Sequence, residues 1–201
     1  MIKHKLTLNE DTLTKNIIRG NYLMALVNPK LPGAFKRGDK FTSKPKYIII
    51  HDSNCLNHTD AALITTSREP TVGNLKINNI VKNGDDDYNY HFIVDKIGDD
   101  YEVIAGRPMN IHCHFDNIDK AYEDSIHVII LCDLNVDMPD NRLYKILAYR
   151  CLAPLVKMLK IASDPSKAVF FHDEIETKSD KRCPGDFLAK ELLLSQIRRY
   201  L

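Results

Sequence analysis

The chain has 201 residues, which is enough for one folded domain with a substantial core but too few for two comfortable domains. Hydrophobic residues make up 44% and charged residues 27%, which is typical of globular proteins and not of disordered or fibrous ones. The net charge of +1 creates no general basic field, so we expect no nucleic-acid partner. Because the apolar runs are short and residues 1–15 do not resemble a signal peptide, we expect cytoplasmic synthesis and no membrane insertion.

Five cysteines stand at positions 55, 113, 132, 151 and 183. Their odd number and irregular spacing, together with the N-terminal sequence, predict a reducing cytoplasm and no disulfide framework. Cys132 and Cys151 lie in apolar segments and are predicted to be small buried hydrophobic residues.

The first 45 residues are polar and interrupted by Pro29, Pro32-Gly33 and Pro45. We predict an N-terminal extension or arm over residues 1–45, with one short helix at 13–26, and a single domain over residues 46–201. The domain begins with a buried strand at 46–51 (KYIIIH), indicated by its length and β-branched residues. A short helix is predicted at 59–66 and a long polar loop at 72–87.

The second half of the chain alternates loosely between strands and helices. Strands at 90–95 and 101–105 are predicted to form a hairpin, in which Tyr90 and Phe92 share one face of the sheet. Further buried strands are predicted at 125–131 and 168–172. An apolar stripe predicts a helix at 141–161, with a kink or break at Pro154, and a terminal amphipathic helix is predicted at 185–201. The pattern indicates an α/β domain with a central mixed β-sheet flanked by helices.

Two histidines close predicted buried strands: His51 ends the first strand and His172 ends the last. A rigid strand end holds a side chain well for metal binding, although a single such histidine is more simply explained as a structural residue. The presence of Cys183 strengthens the interpretation that the two histidines bind a metal ion, because imidazole and thiolate are both good zinc ligands. Three protein ligands and one open position are the arrangement of a catalytic zinc site.

Cys183 lies on a predicted exposed loop directly before Pro184. Because proline suits the first position of a helix, we expect Cys183 to cap the terminal helix, where the helix dipole favours the thiolate. An exposed structural thiol is the alternative. Tyr90 and Lys181 are further candidates, although a core tyrosine and a solvated lysine are the ordinary explanations for them.

Several segments together resemble the zinc-dependent N-acetylmuramoyl-L-alanine amidases, the amidase type 2 family that includes phage lysozyme-type amidases and peptidoglycan-recognition proteins. The resemblance covers about residues 45–200, and residues 1–45 have no clear counterpart. Its most specific part is the final motif, His172 followed by Lys181-x-Cys183-Pro184-Gly185. The other parts are the strand ending in His51, residues 90–94 (YHFIV), residues 103–107 (VIAGR) and the strand opened by Ser125-Ile126.

The resemblance implies one zinc ion per chain, bound by His51, His172 and Cys183. It implies that Tyr90 and Lys181 are catalytic, with Tyr90 acting on the attacking water and Lys181 stabilising developing negative charge. The fold it implies is a central mixed sheet packed by helices, with zinc in a surface groove.

This sequence departs from the family pattern in two places. The stretch between His172 and Cys183 is longer than usual, so Lys178 is the alternative to Lys181. The segment 110–115 (NIHCHF) replaces a single histidine, so either His112 or His114 could face substrate, and we favour His114. The histidines without motif support, His58, His91 and His127, are expected to be structural.

The resemblance implies hydrolysis of the amide bond between N-acetylmuramic acid and L-alanine in peptidoglycan, by a phage endolysin or virion-associated lysin. The enzyme is expected to reach the cell wall after release by lysis machinery or virion delivery. Residues 1–45 could bind a phage structural or lysis-regulating protein. The alternative is a catalytically silent peptidoglycan-binding module or structural virion component with the same fold.

Overall fold

The structure is a computed structural model that describes residues 40–41, 43–53, 89–97, 99–113, 115, 118–160, 164–176 and 182–201. The predicted helix at 13–26, helix at 59–66 and loop at 72–87 lie outside the described residues, as does nearly all of the predicted arm. Within the described part of the chain, none of the helices is long and apolar enough to cross a bilayer.

Five strands form one sheet in the order β3-β2-β4-β1-β5. The strands are β1 (Tyr47–Asp52), β2 (Phe92–Ile97), β3 (Asp100–Ala105), β4 (Ser125–Ile130) and β5 (Val169–Phe171). Neighbouring strands are parallel except for β2 and β3, which form the antiparallel hairpin predicted from the sequence. The predicted mixed sheet is therefore confirmed, with its antiparallel strand at one edge.

Strand β4 is the central strand of the sheet and β1 lies next to it, and both are almost wholly buried. Their β-branched runs, Ile48-Ile49-Ile50 in β1 and Val128-Ile129-Ile130 in β4, suit strands that are covered on both faces. In the parallel register between them, Ile49 lies opposite His127 and His51 lies opposite Ile129.

The predicted helix at 141–161 is present but changes its hydrogen-bond pattern. It runs as α1 (Asn141–Ile146), a π-helical segment (Leu147–Leu152) and α2 (Ala153–Leu159), and the Asp140 side chain caps its start by accepting from the Leu143 N–H. Pro154 has no N–H and its ring crowds the carbonyl of the preceding turn, so the wider π turns before it accommodate the proline. The kink or break predicted at Pro154 is thus a local widening of the helix into π turns.

The terminal helix α3 spans Lys190–Arg198 and has Ala189 at its N-cap. It begins later than predicted, and Cys183 therefore does not cap it. Residues 183–189 form an irregular segment, in which the Cys183–Pro184 peptide bond is cis.

The two faces of the sheet carry different apolar clusters. The larger one joins Ile48, Ile50 and Phe92 to the helices, including Leu193 of α3. The smaller one contains Tyr90, Ile93, Ile104, Ile129 and Leu131. Tyr90 and Phe92 thus belong to different clusters, and the prediction that they share a face is wrong. Tyr90 lies two residues before Phe92, the first residue of β2, so the alternation of side chains between the two faces of the strand does not extend to it.

Candidate metal centre

The sheet register places His51 and His172 side by side. Ile50 of β1 pairs with Phe171 of β5, and His51 and His172 are the next residues of the two parallel segments. Since neighbouring strands lie about 4.8 Å apart, their side chains meet at the carboxyl edge of the sheet. Their ring centroids are 4.5 Å apart. His172 itself opens a 3-10 turn, His172–Glu174, which ends the strand.

Cys183 reaches this edge through backbone hydrogen bonds of the segment around it. The Asp173 N–H donates to the Cys183 carbonyl over 2.9 Å, which joins the segment to the end of β5. The Gly185 N–H donates over 3.1 Å to Asp52 Oδ2, which also accepts from the Leu134 N–H. The result is a cysteine that is only 2% exposed, with Sγ 3.9 Å from Nδ1 of His51.

The predicted exposed position of Cys183 at a helix N-cap is therefore wrong. Its place depends on backbone hydrogen bonds to Asp52 and Asp173, and the N-cap of α3 is Ala189 instead. One ligand atom each from His51, His172 and Cys183 lies within 4.8 Å of the others, so the structure brings the three predicted metal ligands together.

The two imidazoles suit a metal ion. Burial, as the largest cause, lowers the pKa of both His51 and His172, so both rings are neutral at pH 7 and each offers a lone pair. Among the described residues, neither ring nitrogen of the buried His172 has a hydrogen-bond partner. Buried polar atoms normally have one, so this ring is available to bind a group that the described residues do not supply. Two imidazoles and a thiolate are a donor set typical of zinc.

The oxidation state of Cys183 differs from the expectation that the chain forms no disulfide. Of the cysteines in the described part of the chain, Cys113, Cys132 and Cys151 are reduced thiols, whereas Cys183 is disulfide-bonded. A disulfide sulfur is not a thiolate, and the thiolate is the form of cysteine that binds metal. The donor set is therefore complete only after reduction of Cys183.

Two aromatic residues lie against His51. Tyr90 is buried, with its ring centroid 5.2 Å from that of His51, and its carbonyl accepts a hydrogen bond from the Arg107 N–H over 2.8 Å. Phe115 stacks on His51 with ring centroids 4.8 Å apart and planes inclined by 14°. Phe115 could not be identified from the sequence, since an aromatic residue beside a polar loop is a weak signal.

The remaining predicted site residues have different outcomes. Lys181, the alternative Lys178 and His114 lie outside the described residues. His112 is buried, its Nδ1 donates to the Glu123 carbonyl over 3.1 Å, and its Nε2 lies 3.3 Å from Asp124 Oδ1. Both nitrogens of His112 thus face protein groups.

His91 and His127 connect to the candidate centre from the middle of the sheet. His51 Nε2 lies 2.9 Å from His127 Nδ1. The backbone N–H of His127 donates over 2.9 Å to His91 Nδ1, and His91 Nε2 donates over 2.9 Å to the Ile111 carbonyl. Burial lowers the pKa of His91 to about 3, so its ring is neutral at pH 7. Of these two histidines, expected to be structural, His127 contacts a candidate ligand directly.

The mixed five-stranded sheet with its flanking helices matches the fold of solved amidases and peptidoglycan-recognition proteins. No protein-family model matches the chain. No curated protein matches it in sequence. Comparison with solved structures identifies the class, and it confirms the resemblance inferred from the sequence at the level of fold.

One similar structure is the N-acetylmuramoyl-L-alanine amidase LysC from Clostridium intestinale URNW. It has a TM-score of 0.57 and 16% identity, over 82% of this chain and 93% of its own. A mutant of Drosophila PGRP-LB, in complex with tracheal cytotoxin, has a TM-score of 0.52 and 18% identity over 84% and 90% of the two chains. The endolysin from the Thermus scotoductus MAT2119 bacteriophage Ph2119 has a TM-score of 0.50 and 16% identity over 80% and 89%.

Proposed function

We propose that this protein is a zinc-dependent N-acetylmuramoyl-L-alanine amidase, which hydrolyses the amide bond between N-acetylmuramic acid and L-alanine in peptidoglycan. The observation that carries the proposal is the convergence of His51, His172 and Cys183, whose ligand atoms lie within 4.8 Å of one another. The fold supports the proposal, since similar structures include an N-acetylmuramoyl-L-alanine amidase and a phage endolysin.

In the proposed site, His51 and His172 bind one zinc ion as neutral imidazoles and Cys183 binds it as a thiolate. The bound zinc supplies a Lewis acid for the scissile carbonyl and lowers the pKa of water. With one thiolate among the ligands, the site keeps a net charge near +1, which suits the binding of a developing oxyanion.

Tyr90 and Lys181 complete the proposed machinery. Tyr90 lies against His51, so its phenol is assigned to positioning the attacking water or accepting its proton. Lys181 is assigned to the negative charge that develops on the carbonyl oxygen. The buried ring of Tyr90 and the partly buried ring of Phe115 limit water around His51, and this strengthens electrostatic interactions at the site.

For the biological role we propose a phage endolysin or virion-associated lysin, released by lysis machinery or delivered with the virion. The similarity in fold to a phage endolysin supports this role. Residues 1–45 are proposed to bind a phage structural or lysis-regulating protein. Comparison of intact sacculi with soluble muropeptides as substrates distinguishes a lytic role, in which sacculi are cleaved, from wall recycling.

One observation favours a second function, peptidoglycan binding without cleavage. With Cys183 disulfide-bonded, the third donor is not available to a metal ion, and a site with two histidines alone is poorly suited to catalysis. The similar structure of the Drosophila PGRP-LB mutant is a complex with tracheal cytotoxin, so a protein of this fold can hold a ligand.

The decisive experiment measures zinc content and amidase activity on the reduced protein. We expect one zinc per chain and release of peptides with a free L-alanine amino group from purified sacculi. Cys183→Ala should lose both zinc and activity, whereas Cys132→Ala, a change at a half-buried cysteine without a role in the site, should keep both. Wall binding without peptide release from the zinc-loaded protein would establish the second function instead.

A further inference from the structure

His127 lies on β4 next to the candidate ligand His51 and makes a side-chain hydrogen bond to it. The distance between His51 Nε2 and His127 Nδ1 is 2.9 Å, and both residues are at most 1% exposed. The other ring nitrogen of His51, Nδ1, faces the Sγ atom of Cys183. His51 therefore points one nitrogen toward the candidate centre and the other toward His127.

Two ring contacts orient the His127 side chain, and a backbone hydrogen bond holds the residue that carries it. It stacks on Phe115, with centroids 4.6 Å apart and planes inclined by 28°, and on His91, with centroids 6.1 Å apart and planes inclined by 19°. Its backbone N–H also donates to His91 Nδ1, and the His91 ring is itself tied to the Ile111 carbonyl. A ring held in this way presents its Nδ1 to His51 in one direction.

The number of N–H groups on each neutral ring determines which ring donates in the hydrogen bond between His51 and His127. A neutral imidazole carries one N–H, so His51 can bind a metal ion through Nδ1 only if its proton is on Nε2. His51 Nε2 must then donate to His127 Nδ1, and the proton of His127 must be on its own Nε2. If instead His127 donated, the lone pair of His51 would be used on Nε2, and Nδ1 would carry a proton and could not bind metal.

His172, the other candidate histidine ligand, has no comparable support among the described residues. Its nearest acidic partner, Glu176, places Oε2 3.6 Å from His172 Nδ1, which is longer than a hydrogen bond. Contacts with the described residues thus determine the tautomer and ring orientation of His51 better than those of His172. Groups that hold the second nitrogen of a metal-bound histidine commonly control metal affinity.

We propose that His127 is a positioning residue, a neutral hydrogen-bond acceptor that keeps the proton of His51 on Nε2 and its Nδ1 lone pair directed at the metal. The inference rests on the proposed zinc site. A neutral acceptor, unlike the carboxylate often found in this role, adds no negative charge, so the site keeps the net charge near +1 that suits an oxyanion.

The test compares two replacements of His127 in the reduced full-length protein. His127→Asn places an amide oxygen near the position of Nδ1 and keeps an acceptor, whereas His127→Leu removes the acceptor at similar bulk. The readout is the zinc dissociation constant from competition with a chromophoric chelator. We expect His127→Leu to weaken zinc binding about 10- to 100-fold and His127→Asn to restore most of this loss.

His112→Leu is the matched control, because His112 is also a buried histidine with two polar contacts but does not touch a candidate ligand. It should leave the zinc dissociation constant unchanged. Wild-type affinity in a folded His127→Leu variant would overturn the proposal, and so would equal losses in the Asn and Leu variants. If His127→Leu fails to fold, nitrogen NMR of the zinc-loaded wild-type protein decides, since the proposal requires the proton of His51 on Nε2. Absence of zinc binding by the wild-type protein would instead refute the proposed function.

Discussion

At the scale of single residues, burial keeps the candidate ligands in the protonation state that metal binding needs. His51 is fully buried, and the desolvation of its charged form holds its pKa well below the usual range. His172 is affected in the same direction, again mainly by burial. The same surroundings would resist a bare positive charge, so the thiolate of Cys183 matters as a partner for the cation. The oxidation state of the Cys183 sulfur therefore determines whether the third candidate ligand can bind a metal ion.

Reduction of the Cys183 disulfide should allow the protein to bind zinc. In the disulfide-bonded protein Cys183 offers no thiolate, so we expect weak or absent zinc binding, and stoichiometric binding after treatment with a phosphine reductant. Cys55 is the remaining cysteine of the sequence and lies outside the described residues. If it is the disulfide partner, Cys55→Ser should bind zinc without reductant, whereas Cys151→Ser should behave as wild type. Equal zinc affinity before and after reduction would contradict a role for the Cys183 thiolate.

The catalytic role proposed for Lys181 can be tested by a paired substitution. Loss of one group that stabilises an oxyanion costs about 2.7–4 kcal/mol, so Lys181→Ala should reduce turnover about 100- to 1000-fold while zinc stays bound. Lys178→Ala is the matched variant from the same segment and should retain activity. The opposite pattern would assign the role to Lys178. Turnover on sacculi and zinc content, measured on the same samples, separate catalysis from metal binding.

At the scale of elements, the site is built where β1, β5 and the segment before α3 meet. The β1–β5 register aligns the two histidines, and Asp52, the last residue of β1, accepts N–H groups from Leu134 and Gly185. Gly185 lies so close to the backbone of the 134–135 turn that an added Cβ would be 2.3 Å from the Leu134 carbonyl carbon. The position of Cys183 thus depends on the absence of a side chain two residues later.

Gly185→Ala should displace the segment that carries Cys183. Because the clash is with backbone atoms, which cannot move aside as a flexible side chain does, we expect a loss of roughly 1–3 kcal/mol in the free energy of unfolding and weaker zinc binding. Asp186→Ala, at the neighbouring exposed position, should change stability by less than about 0.5 kcal/mol. Chemical denaturation and chelator competition measure the two effects. Wild-type stability and zinc affinity in Gly185→Ala would show that the contact with the turn is not required.

At the scale of the whole molecule, the sheet is covered on both faces and its interior contains uncharged histidines. His91, His127 and His51 are each at most 1% exposed, and the largest cause of the lowered pKa of each is burial. An unfolded chain would expose these rings to water and let them take up protons at their ordinary pKa. The fold therefore has a built-in sensitivity to acid.

Stability should fall as the pH drops below about 6.5. For His91 the pKa is 6.5 in the reference state and about 3 in the folded protein, so between these values the unfolded chain binds the proton and the folded chain does not. The free energy of unfolding should then decrease by up to about 1.4 kcal/mol per pH unit from this residue. Denaturant unfolding of metal-free, reduced protein from pH 7 to pH 4 measures the slope. His91→Gln should show a smaller slope, and an unchanged one would assign the acid sensitivity to other groups.

Much of the fold could be predicted because its signals are local. The β-branched runs around Ile49 and Ile129 indicate buried strands, and the turn near Gly98 indicates a hairpin, without reference to the rest of the chain. The predicted start of α3 is too early, because Pro184 suits a helix start in isolation, whereas in the structure the backbone around it is bound to Asp52 and Leu134.

The mixed sheet and the two histidines at its strand ends could be predicted from local patterns, because strand patterns and chain order act over a few residues. Three other features could be seen only in the folded chain: Cys183 is buried and disulfide-bonded, Tyr90 packs in a different cluster from Phe92, and His127 contacts His51. These features depend on strand register and on contacts between distant segments. Packing and hydrogen bonding in three dimensions select such contacts, and no local pattern in the sequence encodes them.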